Sequence, residues 1–333
     1  MQIPGVDYTE NFSPVAQPTS VRTVLAIVLW TYWRCELIDI EAAFLEGRQK
    51  QKAYIELPPG IVELGMMSQE DYNRSCIELQ GGMYRNVDAA LIYFIRFTTF
   101  ATSEEGLNLE QSKCDPCLFF KKDESNKTTG VMVIYVDDCL IAGEDSFIEE
   151  MKSKLKQEFG VVEDGQLRKL LGVRYKWEHL NDPNKAKVTL NMDDKASEII
   201  QAYEKATGTT PKSFKTPGKP GELLEKHKGN PINHSAYRSI LGKIMFYTTK
   251  VGPECSFSCG QLARQMHNPG PAHWDAMNRL VGYLKQKGYH ELVIRIPLGM
   301  KIISFGDASY SDCKETRRSS TGDIHTIGGS IVS

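Results

Sequence analysis

Three aspartates stand where the sequence predicts neighbouring strands. Asp137 and Asp138 separate two apolar runs, residues 131–136 and 139–143. Two such runs divided by two polar residues are typical of a β-hairpin. Since Asp-Asp is not the favoured Asn-Gly turn pair, turn propensity does not account for two carboxylates at this tip. Asp39 lies near the end of residues 35–40, which predict a short, half-buried strand.

Carboxylates on adjoining strands can hold divalent cations. Mg²⁺ takes one or two protein carboxylates and completes its shell with water and phosphate oxygens. Two such ions, about 3.5–4 Å apart, neutralise a phosphate that a hydroxyl attacks in line. Asp39, Asp137 and Asp138 suit this chemistry. An Asp-Asp pair considered alone is more often a solvated turn, but apolar flanks bring these like charges to the edge of a core, where a shared cation is favoured.

The elements around the acids indicate an α+β fold. Apolar residues recur at helical spacing over residues 19–32, and a strand at residues 54–57 ends at two prolines. After the hairpin, Ser146 and Glu149 form a predicted capping box, and an apolar stripe from Phe147 to Phe159 predicts a helix that covers the sheet. Strands and helices here do not alternate strictly, which favours α+β over a doubly wound sheet.

The second half of the chain contains further elements. Residues 217–221 are rich in proline and glycine and indicate a domain boundary. Helical spacing then recurs from Tyr237 to Tyr247 and from Trp274 to Leu284. Residues 301–307 predict a strand that runs into an exposed acid, Asp307.

Composition bounds the class of protein. The 333 residues are 41% hydrophobic, enough for two or three domains. Forty basic and 42 acidic residues give a net charge of −2, which is not the strongly basic balance of a dedicated nucleic-acid binder. Local basic stretches exist at Lys212–Lys228 and at Lys314, Arg317 and Arg318, for which a solvated face is the alternative.

Location and cysteine usage follow from the same inspection. No apolar run of 18 residues is present, so we expect no membrane span. The first residues lack a secretory signal, and we expect an intracellular protein, cytoplasmic or nuclear, with reduced thiols. A zinc site built from Cys114 and Cys117 with Cys255 and Cys259 is disfavoured, because the two pairs are far apart and no compact knuckle follows either.

A series of motifs resembles one family. Tyr135-Val136-Asp137-Asp138 resembles the catalytic hairpin of reverse transcriptases, and its surroundings resemble the copia-type family of LTR retrotransposons. The further matching segments, in chain order, are residues 7–16, 20–22, 39–47, 57–60, 115–119, 171–173, 216–217, 237–242 and 273–274. Because they occur in order along nearly the whole chain, they are far more specific together than any one motif.

The resemblance implies a right-hand polymerase. Residues 1–217 would form incomplete fingers and a palm, residues 218–300 a helical thumb or connection, and residues 301–333 the truncated start of a ribonuclease H-like domain. The implied activity is RNA-directed DNA polymerisation with two Mg²⁺ ions, or Mn²⁺ as a substitute. Its partners would be an RNA or DNA template with primer, and dNTPs. The oligomeric state is left open.

The resemblance also assigns roles to residues. Asp39, Asp137 and Asp138 would be the catalytic and metal-binding acids, with Ile40 adding its main-chain carbonyl. Phe44 would crowd a ribose 2′-hydroxyl, with a core phenylalanine as the alternative. The remaining assignments are a triphosphate contact by Arg22, against a solvent-facing helix arginine, and primer binding by Leu171 and Gly172, against buried strand packing.

Two departures keep other functions open. Asp307 resembles the first metal ligand of a ribonuclease H, but the other carboxylates do not follow before Ser333, so we expect no such activity. Arg85 stands where the family carries glycine, and a positive φ there would cost about 1 kcal/mol or more. The alternatives are a catalytically inactive remnant that at most binds nucleic acid, and an unrelated metal-binding or interaction protein.

Overall fold

The structure, a computed structural model, describes all residues except 1, 2, 4, 6, 7, 85, 183, 288–290, 296–298 and 312–315. The side chains of residues 48–51, 163, 164 and 287 are also outside the description. The expectation for Arg85 therefore lies outside the described residues. The chain has a mixed α/β fold and divides into two compact units, Met1–Ser20 with Trp33–Leu167, and Val21–Tyr32 with Arg168–Ser333.

The first unit is built on an antiparallel sheet. Its strands along the chain are β1 (Arg34–Ile40), β2 (Arg48–Ile55), β3 (Ile77–Gly81), β4 (Glu110–Gln111), β5 (Leu118–Lys122), β6 (Thr128–Tyr135), β7 (Asp138–Gly143) and β8 (Val161–Gln166). Six of them form one sheet in the order β4-β5-β6-β7-β1-β8, while β2 and β3 pair separately. The predicted strand at residues 35–40 is confirmed as β1, which lies between β7 and β8.

The helices of this half of the chain are α1 (Pro18–Thr31), most of which belongs to the second unit, α2 (Gln69–Arg74), α3 (Ala89–Thr102) and α4 (Asp145–Glu158). Helices α3 and α4 pack against strands of the first unit. The Phe97 ring of α3 lies 6.3 Å from that of Phe119 on β5 and 5.9 Å from that of Phe159. These aromatic contacts fix α3 against the sheet, since ring pairs at such distances add to the stability gained from burial.

The helix behind the hairpin is confirmed as α4, but its predicted capping box is wrong. The helix begins at Asp145, its N-cap is Glu144, and no side chain caps it. The Glu149 carboxylate instead accepts a hydrogen bond from Arg34 at 2.9 Å. The Glu149 side chain is therefore paired with β1 and not with the helix N-terminus.

The second unit contains two antiparallel sheets and a helical group. Its strands are β9 (Lys169–Leu170), β10 (Val173–Glu178), β11 (Lys187–Asn191), β12 (Glu291–Arg295), β13 (Ile302–Ser309), β14 (Ser320–Ile327) and β15 (Ser330–Ile331). The sheets have the orders β12-β11-β10-β9 and β13-β14-β15. The helices are α5 (Asp193–Thr207), α6 (His234–Lys250), α7 (Ser256–Arg264) and α8 (Pro271–Lys287).

Several predictions for this half are confirmed. The two helical segments are α6 and α8, and the strand at residues 301–307 is part of β13. The compact units meet in the sequence at Leu167 and Arg168, and residues 217–221 lie inside the second unit. The division into three functional domains stays a prediction.

None of the described helices combines the length and the apolar character that crossing a membrane requires.

Candidate active site

Asp39 and Asp138 face each other across two paired strands. In the antiparallel pair of β1 and β7, the Cα atom of Asp39 is registered opposite that of Asp138. Directly opposed residues point to the same face of a sheet, and their Cβ atoms lie about 4.5–5.5 Å apart. Like charges in this position are destabilising unless a cation or a proton donor lies between them. The sheet thus brings together two of the three predicted acids, both half-buried.

Asp137 lies in the turn beside this pair. Strands β6 and β7 are joined by Val136 and Asp137, because Tyr135 is paired with Asp138. The prediction that Asp137 and Asp138 form the tip is therefore wrong by one residue, since the pairing continues through Asp138. The N–H group of Ile40 donates a hydrogen bond to the Asp137 carbonyl at 2.9 Å, which fixes the turn to the end of β1.

The turn stores backbone strain. Val136 has a φ of 56°, in the left-handed region. A β-branched residue is a rare occupant of that region, and the conformation costs about 1–2 kcal/mol. Such strain persists only where the surrounding structure imposes it, and it is concentrated at functional sites.

Negative charge acts on the groups beneath the acids. Burial raises the pKa of the Cys139 thiol, and Asp138, Asp137 and Asp39 raise it further. Burial also raises the pKa of Tyr93 on α3, to which Cys139, Asp137, Glu46 and Asp39 add in that order. Asp39 and Asp137 raise the pKa of both the Cys139 thiol and the Tyr93 hydroxyl. Negative charge is therefore concentrated at this end of the sheet.

Tyr93 is a residue of this site that the sequence did not indicate. Its side chain is 2% exposed, and its hydroxyl has no hydrogen-bond partner among the described protein atoms. Ala89, Tyr93, Phe97 and Ala101 form the buried stripe of α3. A tyrosine in such a stripe is typical of a core position, so spacing alone carried no signal of its proximity to the acids.

The donor set can be tested against a metal ion. Within the described part of the chain, no three or more His, Cys, Asp or Glu side chains are grouped closely enough to hold a metal ion. Mg²⁺, however, usually takes only one or two protein carboxylates, with water and substrate phosphates as its other ligands. The facing pair of Asp39 and Asp138, with Asp137 adjacent, fits a cation of that kind. The carbonyl of Ile40 as a further ligand stays a prediction.

Phe44 lies in a short 3₁₀ turn after β1. The turn spans Ala43–Leu45 and follows Ala42, whose φ is 51°. The Phe44 ring is half-buried, and its contact is an edge packed at 5.7 Å against the ring of Tyr84. A Cβ atom on Gly82 would lie 2.2 Å from the Phe44 carbonyl oxygen, so only glycine allows this close approach. Because the ring is half-buried, the ribose contact and the core phenylalanine both stay open.

Arg22 belongs to the second unit and is buried. Its side chain is 6% exposed, and its Nη2 donates to the carbonyls of Thr249 at 2.7 Å and Lys250 at 2.9 Å. Its Nη1 donates to the Val332 carbonyl at 3.4 Å. Burial lowers the pKa of Arg22. The solvent-facing alternative is thus wrong, while the triphosphate contact stays a prediction.

Leu171 and Gly172 form the turn between β9 and β10. Leu170 is paired with Val173, and both turn residues have positive φ, 55° and 75°. Lys169 faces Arg174 across this hairpin, so two cations flank the turn. That Leu171 and Gly172 bind the primer stays a prediction. Buried strand packing, the alternative, is found at the flanking Leu170 and Val173 and not in the turn itself.

Asp307 lies on β13 of the second unit. It is exposed, it is registered opposite Gly322, and its Oδ1 accepts a hydrogen bond from the N–H group of Ala308 at 2.9 Å. Its assignment to a ribonuclease H remnant stays a prediction.

Comparison with known proteins gives a consistent result. Residues 1–217 match the family described as reverse transcriptase (RNA-dependent DNA polymerase). The chain is 25% identical over 99% of its length to the retrovirus-related Pol polyprotein from transposon TNT 1-94 of Nicotiana tabacum. It is 25% and 27% identical, over 100% of its length, to the Pol polyproteins from transposons RE1 and RE2 of Arabidopsis thaliana.

The chain spans only part of these relatives. It covers 24%, 21% and 22% of the three polyproteins, respectively. No solved structure matches the chain.

Proposed function

Since the chain belongs to the copia-type branch of the reverse transcriptase (RNA-dependent DNA polymerase) family, we propose that it carries the polymerase site of such an enzyme. It would transfer deoxynucleotides from dNTPs to a primer 3′-hydroxyl on an RNA or DNA template. The observation that carries the proposal is the register of Asp39 opposite Asp138, beside the strained turn that holds Asp137.

The three acids would hold the cation. Reverse transcriptases as a family use divalent metals, and two Mg²⁺ ions, or Mn²⁺, would neutralise the triphosphate and activate the primer hydroxyl. In this chain, the facing pair would supply the shared carboxylates, and the hydrogen bond from Ile40 to the Asp137 carbonyl would keep the turn in place. The repulsion between Asp39 and Asp138 favours a bound cation, because binding relieves it.

The remaining assignments follow the same order along the chain. In the proposed right-hand arrangement, the antiparallel sheet of the first unit would be the palm, residues 218–300 the thumb or connection, and residues 301–333 the start of a ribonuclease H-like domain with Asp307. Phe44 would contact the dNTP, and Leu171 and Gly172 the primer, whereas Arg22 is buried and its Nη groups donate to main-chain carbonyls. The half-buried ring of Phe44, supported by Tyr84, suits a contact with a ribose. The proposed location is intracellular, cytoplasmic or nuclear, where dNTPs occur.

The test is primer extension. The purified chain is incubated with poly(rA)/oligo(dT), dTTP and Mg²⁺, beside Asp137→Asn and the matched change Asp275→Asn on an exposed face of α8. We expect incorporation by the parent and by Asp275→Asn. Asp137→Asn should lower the rate by at least about 100-fold, because a metal-binding charge contributes several kcal/mol to such a transition state.

Two outcomes would contradict the proposal in different ways. No extension by the parent, in a chain shown to be folded, would favour the second candidate, an inactive remnant that at most binds nucleic acid. Equal extension by the parent and Asp137→Asn would refute the assignment of the site.

A further inference from the structure

Three polar side chains on the hairpin of β13 and β14 form a connected chain of hydrogen bonds. The Nδ1 atom of His325 lies 2.8 Å from the Oγ of Ser304, and its Nε2 atom lies 2.8 Å from the Oδ2 of Asp323. A hydroxyl, an imidazole and a carboxylate connected in this order can activate a serine as a nucleophile. None of the three residues has a role in the proposed polymerase site, so their arrangement requires its own explanation.

The strand register places all three side chains on one face of the hairpin. Ser304 is registered opposite His325, and Asp323 precedes His325 by two residues on β14. The main-chain N–H of His325 donates to the Ser333 carbonyl at 3.0 Å, and its carbonyl accepts from the Val332 N–H at 2.9 Å, so neither group is directed at β13. Ser304 and His325 are therefore a non-hydrogen-bonded pair, the type in which facing side chains are closest.

The carboxylate determines which imidazole nitrogen carries the hydrogen. The ionised Asp323 side chain can only accept hydrogen bonds, so in the neutral imidazole of His325 the hydrogen lies on Nε2 and Nδ1 is the acceptor. Nδ1 then accepts the hydrogen bond from the Ser304 hydroxyl. This direction is the one that a general base requires to remove the hydroxyl proton.

The same face of the hairpin is open to an acyl group. Ser304 is exposed, and the side chains of His325 and Asp323 are 38% and 61% exposed. Ile302 is 69% exposed and precedes Ser304 by two residues, so its apolar side chain lies on this face. Gly306 is registered opposite Asp323, and a Cβ atom on it would meet no atom of the described residues within 4 Å. The hydroxyl thus has an apolar neighbour on one side and open space on the other, which suits the ester of a short apolar acid.

The edge of β13 supplies a donor for the attacked carbonyl. Among the described strands of its sheet, β13 pairs with β14 and forms an edge. Because Ser304 belongs to a non-hydrogen-bonded pair, its main-chain N–H points away from β14 and toward this edge. A main-chain N–H beside the nucleophile can stabilise the oxyanion that forms during attack on an ester.

We propose that Ser304, His325 and Asp323 form a nucleophilic site that hydrolyses small carboxylic esters. The Ser304 Oγ attacks the ester carbonyl while Nδ1 of His325 takes the hydroxyl proton. The imidazolium, stabilised by Asp323, gives this proton to the departing alcohol, and an acyl-serine remains. Water then attacks the acyl-serine as the imidazole removes its proton. That proton returns to the Ser304 Oγ as the carboxylic acid leaves.

The experiment measures acylation of the full chain. Hydrolysis of p-nitrophenyl acetate is followed through the released p-nitrophenolate. A fluorophosphonate probe, which loses fluoride to an activated serine, is located by peptide mass spectrometry, and this label tests the nucleophile without any variant. The variants are Ser304→Ala, His325→Gln and Asp323→Asn. The matched controls are Ser309→Ala, an exposed serine on the opposite face of β13, and His267→Gln, an exposed histidine outside the hairpin.

The expected result is a burst of p-nitrophenolate from the parent and a label on Ser304. Ser304→Ala should lose both the burst and the label. His325→Gln should lower the acylation rate about 100-fold, because the general base is lost. Asp323→Asn should lower it about fivefold, since an exposed charge pair contributes little. Both controls should behave as the parent.

The proposal is overturned if Ser304→Ala hydrolyses the ester as fast as the parent, because a surface imidazole would then act alone. It is also overturned if the probe does not label Ser304, or if His267→Gln loses as much activity as His325→Gln. None of these outcomes depends on primer extension, so failure here is separate from failure of the polymerase assignment.

Discussion

Two hairpins of this chain use the same two-residue connection for different purposes. Strands β6 and β7 are joined by Val136 and Asp137, and strands β9 and β10 by Leu171 and Gly172. Both turns have a positive φ at their first residue, 56° and 55°, but only the second turn continues with a glycine, at 75°. Glycine suits this region without strain, whereas a β-branched valine does not.

The charges beside the turns are opposite. Asp138 faces Asp39 at the first hairpin, and Lys169 faces Arg174 at the second. Facing like charges are unfavourable in either case. The cations of the second hairpin are exposed, and Arg174 forms an ion pair with Asp194, while the acids of the first are half-buried. The two hairpins therefore share a positive φ and facing like charges, and they differ in burial and in the residue that completes the turn.

The largest expected effect is a loss of primer extension that follows a change in the Asp39–Asp138 pair but not a change in the Lys169–Arg174 pair. Asp39→Asn should reduce primer extension at least about 100-fold, because a metal-binding charge is lost. The matched change Lys169→Gln removes one cation of the other hairpin, beside the proposed primer segment. It should weaken primer binding but leave the rate of the chemical step at saturating primer nearly unchanged. Single-turnover extension at saturating primer is the measurement, and equal losses of rate would contradict the distinction.

A smaller effect is expected at the buried Tyr93 hydroxyl, which lies near Asp39 and Asp137. Tyr93→Phe should raise the free energy of unfolding by about 1 kcal/mol, because a buried hydroxyl without a partner is removed. Tyr237→Phe is the matched control in the second unit. Its hydroxyl is buried too, but it donates to the Leu262 carbonyl at 3.0 Å. That variant should lose about 1 kcal/mol. A loss of stability in Tyr93→Phe would mean that its hydroxyl has a partner in solution.

The smallest effect concerns the strain itself. Val136→Gly should raise the free energy of unfolding by up to about 1 kcal/mol, since relief of about 1–2 kcal/mol is partly offset by the flexibility of glycine. Leu171→Gly should gain less, because leucine is not β-branched and its turn already ends in glycine. Urea denaturation of both variants gives the comparison. A larger gain in the free energy of unfolding for Leu171→Gly than for Val136→Gly would show that the turn of Val136 and Asp137 is not the more strained one.

Much of the fold near the acids could be predicted from local pattern. The apolar runs on both sides of Asp137 and Asp138 predict β6 and β7, and helical spacing predicts α1, α4, α6 and α8. The exact turn could not be predicted in this way. Strand pairing continues to Tyr135 and Asp138, and the resulting register places Val136 in a conformation that its own preferences oppose.

The capping of α4 shows the same limit. Ser146 and Glu149 have the spacing of a capping box, but Arg34 on β1 binds Glu149, and the N-cap is Glu144, two residues before Ser146. The Glu149 carboxylate is paired with a residue more than a hundred positions away, and the local bond of about 1 kcal/mol is not formed. Local signals therefore predict that an element exists more reliably than they predict its ends.

The sequence by itself determined which residue types were available for phosphate chemistry, and on which strands they lie, because periodicity and acid spacing are local properties. Only the tertiary structure decided that Asp39 stands opposite Asp138, that the Tyr93 hydroxyl is buried near them, and that His325 lies between Ser304 and Asp323. These features depend on contacts between residues far apart in the chain, and their energies are set by register and burial, which no short segment contains.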